Sequence, residues 1–203
     1  MKNNNYITEI IENALDYQSK LVDKALLFVY KNKTGVTFIE AKFKKDNFKH
    51  LTGVQTNLKP EEFFDNCVNK KLSPSSYQAT SNTPVKLSVL PTIMNLPVLS
   101  ATIGEYNNSR PNICVDIIIA KYQSVLGLTN NGRKYYYPKT ILKINNLTSI
   151  MKNQNPILLT YIKNIDSIKT DYKISFINKK YDMNVIAKEL PEELFKIYQQ
   201  SLP

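Results

Sequence analysis

Glycine, cysteine, arginine and histidine are all scarce in this chain of 203 residues, with five, two, two and one copies respectively. Glycines so few leave no phosphate-cradling G-x-x-x-x-G-K-[ST] loop and no dinucleotide-binding G-x-G-x-x-G. A single histidine cannot make H-E-x-x-H. Cys67 and Cys114 stand alone, too few for a disulfide framework and without metal-ligand spacing. One histidine beside two scattered thiols argues against zinc. A carboxylate-held magnesium site stays open, although no acidic pair stands out as a nuclease core. The expectation is therefore a protein without metal or cofactor, in a reducing, intracellular compartment. No apolar run approaches the roughly 20 residues of a membrane span. The start, Met1-Lys2-Asn3-Asn4-Asn5, leads into an amphipathic pattern rather than a signal peptide's apolar block, so no membrane association is expected.

Lysine is abundant. Lys and Arg total 27 against 17 Asp and Glu, a formal net charge of +10 that favours a polyanionic partner such as RNA or DNA. Codon bias alone could also enrich a chain in Lys, Asn and Ile, so charge does not decide the function. Hydrophobic residues at 42% and charged ones at 22% suit an ordinary globular protein long enough to bury a core. We expect one domain over 1–180 and a C-terminal extension over 181–203 carrying a short helix.

Periodicity gives the organisation. Ile7, Ile10, Ile11, Ala14 and Leu15 predict a helix over about 5–20. Ala25 to Tyr30, a turn at Lys31 to Gly35, and Val36 to Lys44 predict a hairpin, with Thr37, Ile39, Ala41 and Phe43 on one face. A short helix begins at Asp46 or Asn47 and ends at Gly53; another starts at Pro60-Glu61-Glu62 and lines Phe63, Phe64, Cys67 and Val68 on one side. Cys67 reads as a small core residue. Ser73-Pro74-Ser75-Ser76 can cap a further helix. The apolar segment Val85 to Leu96 is interrupted at Pro91. Strands follow from about 98: a central one over 113–120, then 125–128, 134–137, 157–163 and 172–177. Asn130-Asn131-Gly132 forms a hairpin turn between the second and third of these. Pro191 starts a last helix. The fold class is α+β, with N-terminal helices and a hairpin followed by an antiparallel sheet.

Two segments carry candidate chemistry. His50 sits close in sequence to Lys42, Lys44, Lys45 and Lys49, and an imidazole among cations suits metal-independent attack on a phosphodiester. A surface or capping histidine is the plainer reading. Lys134 to Lys143 offers three consecutive tyrosines, further cations and a hydroxyl. Pro138 should end the strand and turn Lys139 and Thr140 outward. Tyr137, with Lys139, suits base stacking beside phosphate attraction, unless Tyr135 and Tyr137 share the buried face of an edge strand. Arg110 could bind phosphate through its planar fork or be a solvated turn residue. Lys121 closes the central strand, where a cation could face a cleft. Arg133 reads as part of the exposed turn.

These segments together resemble the phage-associated Barnase–EndoU–colicin–RelE-like nucleases, in the branch with an N-F-x-H-L-T-G stretch, here Asn47 to Gly53. The similarity runs on through Phe63 to Pro74, Ile103 to Tyr106, Val115 to Ile119 and Tyr136 to Lys143, spanning about 5–180. The resemblance implies an RNase-like fold with a curved antiparallel sheet and metal-independent cleavage of RNA by a phage or mobile-element effector in the bacterial host cytoplasm. It implies His50, Lys139 and Thr140 as catalytic positions; the reading of the residues themselves adds Arg110, Lys121, Tyr137 and Lys49 as candidate nucleic-acid contacts. Relatives tend to carry a small pair after the apolar strand where this chain has Ala120-Lys121. Two other readings stay open: a non-catalytic protein on the same scaffold that binds a host defence protein or nuclease complex, and a simple nucleic-acid-binding module.

Overall fold

The computed structural model describes residues 6–108, 111–168 and 171–200. Helix α1 (Ile7–Lys20) buries Ile10, Asn13, Ala14 and Tyr17, one side of three turns. The hairpin β1 (Lys24–Asn32) and β2 (Gly35–Phe43) pairs in unbroken antiparallel register from Lys24↔Phe43 to Asn32↔Gly35. On β2, Ile39, Ala41 and Phe43 point into the core and Glu40 and Lys42 point away, the alternation the sequence predicts. A single 3-10 turn, Lys45–Asn47, leads into α2 (Phe48–Thr52), which Gly53 ends with a left-handed φ of 74°. Helix α3 (Pro60–Val68) follows with Phe63, Phe64 and Cys67 buried.

Two expectations fail in the next stretch. Ser73 to Ser76 forms a turn and no helix, because Ser76 donates through both its N–H and its hydroxyl to the Ser73 carbonyl and satisfies the backbone locally. Helix α4 (Thr83–Met94) runs straight through Pro91. That proline is exposed and one turn from the helix end, so it forfeits one hydrogen bond without driving its ring into a packed surface.

The remaining strands are β3 (Thr102–Tyr106), β4 (Ile117–Lys121), β5 (Ser124–Thr129), β6 (Tyr137–Lys143), β7 (Met151–Asn164) and β8 (Lys173–Ile177). The central strand is shorter than its apolar run suggests. Val115 donates back to the Ile113 carbonyl at 3.2 Å, so the chain is bent there and extends only from Ile117. The strand expected over 134–137 instead begins at Tyr137 and contains Pro138. All eight strands join one antiparallel sheet ordered β2-β1-β7-β3-β4-β5-β6, with β8 also paired to β7.

This sheet curls until its two ends meet. The Lys42 N–H donates to the Tyr136 carbonyl at 2.9 Å and the Tyr136 N–H to the Glu40 carbonyl at 2.8 Å, a parallel bridge between β2 and the lead-in to β6. Helices α1 to α4 fill the concave side against Leu26, Phe28, Ile119, Leu126 and Ile141. Two C-terminal helices, α5 (Met183–Ala187) and α6 (Glu192–Gln200), cover the opposite face of β1 and β7 through Met183, Ile186, Leu190, Leu194 and Tyr198. The fold is thus α+β: N-terminal helices and a hairpin, a curled antiparallel half-barrel, and C-terminal helices.

Candidate functional site

The site lies at the seam where β2 and β6 meet. From the β2 side, backbone hydrogen bonds fix the approach to His50. The buried Tyr17 hydroxyl donates to the Lys44 carbonyl at 3.0 Å, and the Lys44 N–H donates to Asn47 Oδ1 at 2.9 Å. Phe48 and Leu51 of α2 are fully buried, so the turn between them carries the exposed His50 outward. Burial and the nearby carboxylates of Asp46 and Asp23 push the Tyr17 hydroxyl well above its ordinary value, keeping it a neutral donor.

From the β6 side, the register slips between Gly127 and Leu128 of β5, which pair with Thr140 and Pro138. Lys139 is therefore the extra residue of a β-bulge, and a bulge re-aims the side chain it carries. This is the correction to Pro138 as a strand end: proline is accommodated inside the edge strand because the ladder is already broken beside it. His50 and Lys139 open onto one cleft of about 360 Å³, with Lys42, Lys44 and Asp46 on one wall and Arg133, Tyr135 and Tyr137 on the other. The Lys42 ammonium sits 4.3 Å above the Tyr135 ring, and the Arg133 guanidinium lies 5.3 Å from the Tyr137 ring and 6.0 Å from Tyr135. Asn131 Nδ2 donates to the Tyr137 hydroxyl. Asp46 Oδ1 is buried with no hydrogen-bond partner among the described residues.

Thr140 does not line this cleft. Its hydroxyl oxygen accepts from the Lys86 ammonium at 3.0 Å, and the same nitrogen donates to the His50 carbonyl at 2.8 Å. Lys49 is turned away, donating to the carbonyls of Thr56 at 3.2 Å and Leu58 at 3.4 Å. Lys121 stacks on Tyr122 at 4.7 Å, at the Ser124 and Lys143 end of the sheet rather than the Thr129 and Tyr137 end where the cleft lies. Arg110 lies outside the described residues.

The His50 imidazole is held below its ordinary value. Partial loss of water contributes most, followed by the positive charges of Lys139, Lys49 and Lys86, with Asp46 acting in the opposite sense. It is accordingly neutral near pH 7 and able to accept a proton. Burial lowers the Lys86 ammonium to about 8. Burial raises the Cys67 thiol to about 12, which leaves it an inert core group. Among the described residues, no cluster of three or more His, Cys, Asp or Glu side chains is arranged to hold a metal ion. No helix among them is long and apolar enough to cross a membrane.

Sequence reasoning missed Lys86 and the cleft role of Arg133. The signal for Lys86 was present: it is the single charged residue in the twelve-residue helix α4. Arg133 does occupy the exposed turn, but that turn folds over the cleft.

A curled antiparallel half-barrel packed with N-terminal helices, with a basic, imidazole-bearing cleft on its seam, defines the structural class. The family described as phage-Barnase-EndoU-ColicinE5/D-RelE like nuclease4 (PBECR4) matches residues 9–189, and the chain belongs to it. No curated protein and no solved structure matches the chain. Membership in a nuclease family implies a nucleic-acid substrate.

Proposed function

We propose that this protein is an endoribonuclease that cleaves RNA without a metal ion, acting as a phage or mobile-element effector inside the bacterial host cell. The observation that carries the reading is that His50 and Lys139, far apart in sequence, line one cleft. In the proposed reaction the neutral imidazole takes the proton of a ribose 2′-hydroxyl. The 2′-oxygen bonds to phosphorus, and the bond to the 5′-oxygen breaks. Lys139 neutralises the charge that builds on the phosphorane and protonates the departing 5′-oxygen. The products are a 2′,3′-cyclic phosphate and a 5′-hydroxyl. Arg133 and Lys42, held over Tyr137 and Tyr135, offer cations to the flanking phosphate.

Incubation with RNA in the presence of a chelator tests this reading. Fragments ending in cyclic phosphate are expected, and His50→Ala should reduce their formation by at least ~10²-fold, the scale of a lost acid–base group. RNA left intact at high protein concentration, or cleavage indifferent to His50→Ala, would overturn it.

A further inference from the structure

Lys86 touches both halves of the site without lining the cleft. Resting on the reading above, we propose that Lys86 is a positioning residue for the reaction: a strut that ties the helix bearing His50 to the strand bearing Lys139. Helix α2 has five residues, too few to satisfy its own carbonyls. The His50 carbonyl would ordinarily accept from the N–H of residue 54, but Val54 donates to Thr52 Oγ1 instead, at 3.4 Å. Lys86 supplies the missing donor at 2.8 Å, and its second bond at 3.0 Å ends on Thr140, the residue next to the bulged Lys139.

The stem of Lys86 reaches these acceptors by crossing Gly53, where a Cβ would stand 2.9 Å from Lys86 Cδ. The hydroxyls of Thr80 and Thr83 donate to the Gly53 carbonyl at 2.7 and 3.0 Å, so the start of α4 and the end of α2 are clamped together. Lys86 then extends this clamp to the third element, β6. Two acceptors from different elements converge on one ammonium, and they restrict the separation of the groups that flank the phosphate.

The strut also has an electrostatic side. The charges that act on His50 are Lys139 from β6, Lys49 from α2, Lys86 from α4 and Asp46 from the preceding turn. Removing Lys86 withdraws one cation, so the imidazole should titrate higher. Because Lys86 itself titrates near 8, its bonds and its charge are present below that pH and weaken above it.

His50 is the only histidine, so an NMR titration follows one imidazole with no ambiguity of assignment. Lys86→Met and Lys86→Arg are compared with the wild-type protein, each after a melt confirming that it folds. In Lys86→Met the His50 midpoint should move upward and RNA cleavage should fall roughly 10–100-fold, as expected for a misplaced pair. Lys86→Arg, which keeps charge and donors, should hold the midpoint and recover most of the rate. The wild type should show a second, smaller inflection near pH 8 in the imidazole signal, matched by a falling alkaline limb in kcat; the arginine variant should move that limb upward. A wild-type titration and wild-type cleavage in Lys86→Met would overturn the strut. Failure of the wild-type protein to cut RNA would overturn the reaction instead, and the His50 titration would still decide whether Lys86 couples to the imidazole.

Discussion

The charges of Lys139, Lys49 and Lys86 all act on His50 and Asp46 alone opposes them, so protonation of the imidazole is disfavoured beyond the effect of lost water. The sign of the pH dependence follows. In the proposed reaction the base is active when neutral, so kcat/KM should show an acid limb whose midpoint lies below the ordinary imidazole value of about 6.5. Lys139→Met, removing the lysine with the strongest influence on the imidazole, should raise that midpoint and lower the rate, whereas Lys139→Arg should leave the midpoint in place; a pH–rate profile of the three proteins checks this. Stability carries a second sign. Lys86 titrates near 8 in the folded protein and near 10.4 when unfolded, so the folded state binds fewer protons in between. Wild-type stability relative to Lys86→Met should therefore rise as pH goes from 8 towards 10.4, with the penalty of the half-buried charge fully present below 8. Thermal melts across that range test it. The short, chemically unusual segments around His50 and Lys139 made both residues candidates, and the fold brings the two to one cleft. Lys86 stood out only as a lone charge in an apolar helix, and its partners His50 and Thr140 are brought to it only by folding.

At the scale of the element, the short α2 and the bulge in β6 decide where His50 and Lys139 point. Gly53 ends α2 at a φ of 74° and lies directly under the Lys86 stem, so Gly53→Ala meets both backbone strain and a contact at 2.9 Å. A loss of about 1–3 kcal/mol is expected, seen as a melting point lower by several degrees. The first helix, the hairpin and the turn at Gly53 were legible because they rest on local patterns: apolar spacing, alternation, and a residue that tolerates positive φ. Pro138 was misread for the opposite reason. Proline normally stops a strand, and the broken ladder that admits it here is made by Gly127 and Leu128 of another strand. The apolar run at 113–120 shows the same limit. Its first half packs as bent chain, with Val115 in contact range of Gly127, where the absence of a side chain leaves room for the valine.

Across the whole molecule, the curl of the sheet concentrates part of the excess positive charge in one cleft. Lys42, Lys44, Arg133 and Lys139 converge on the cleft from β2, the turn and β6. Binding of single-stranded RNA to a cleavage-deficient His50→Ala protein should weaken with salt, log K falling linearly against log[salt] with a slope of about −0.7 per phosphate contacted. Arg133→Ala should reduce the magnitude of that slope by about one such contact, while Lys121→Ala, at the far end of the sheet, should leave it unchanged; filter binding at several salt concentrations reads both.

The closure between β2 and the lead-in to β6 also sets an order of events during synthesis. A ribosome that has made only the first half of the chain has released His50 but not the tyrosines, the bulged lysine or the carbonyl to which Lys42 binds. The imidazole then waits on α2 beside an open hairpin, without its opposite wall, until β6 and then β7, which joins β1 to β3, have been made. Under the proposed ribonuclease reading, the chain would acquire its cutting cleft only as the ring shuts, after its own message has been largely translated.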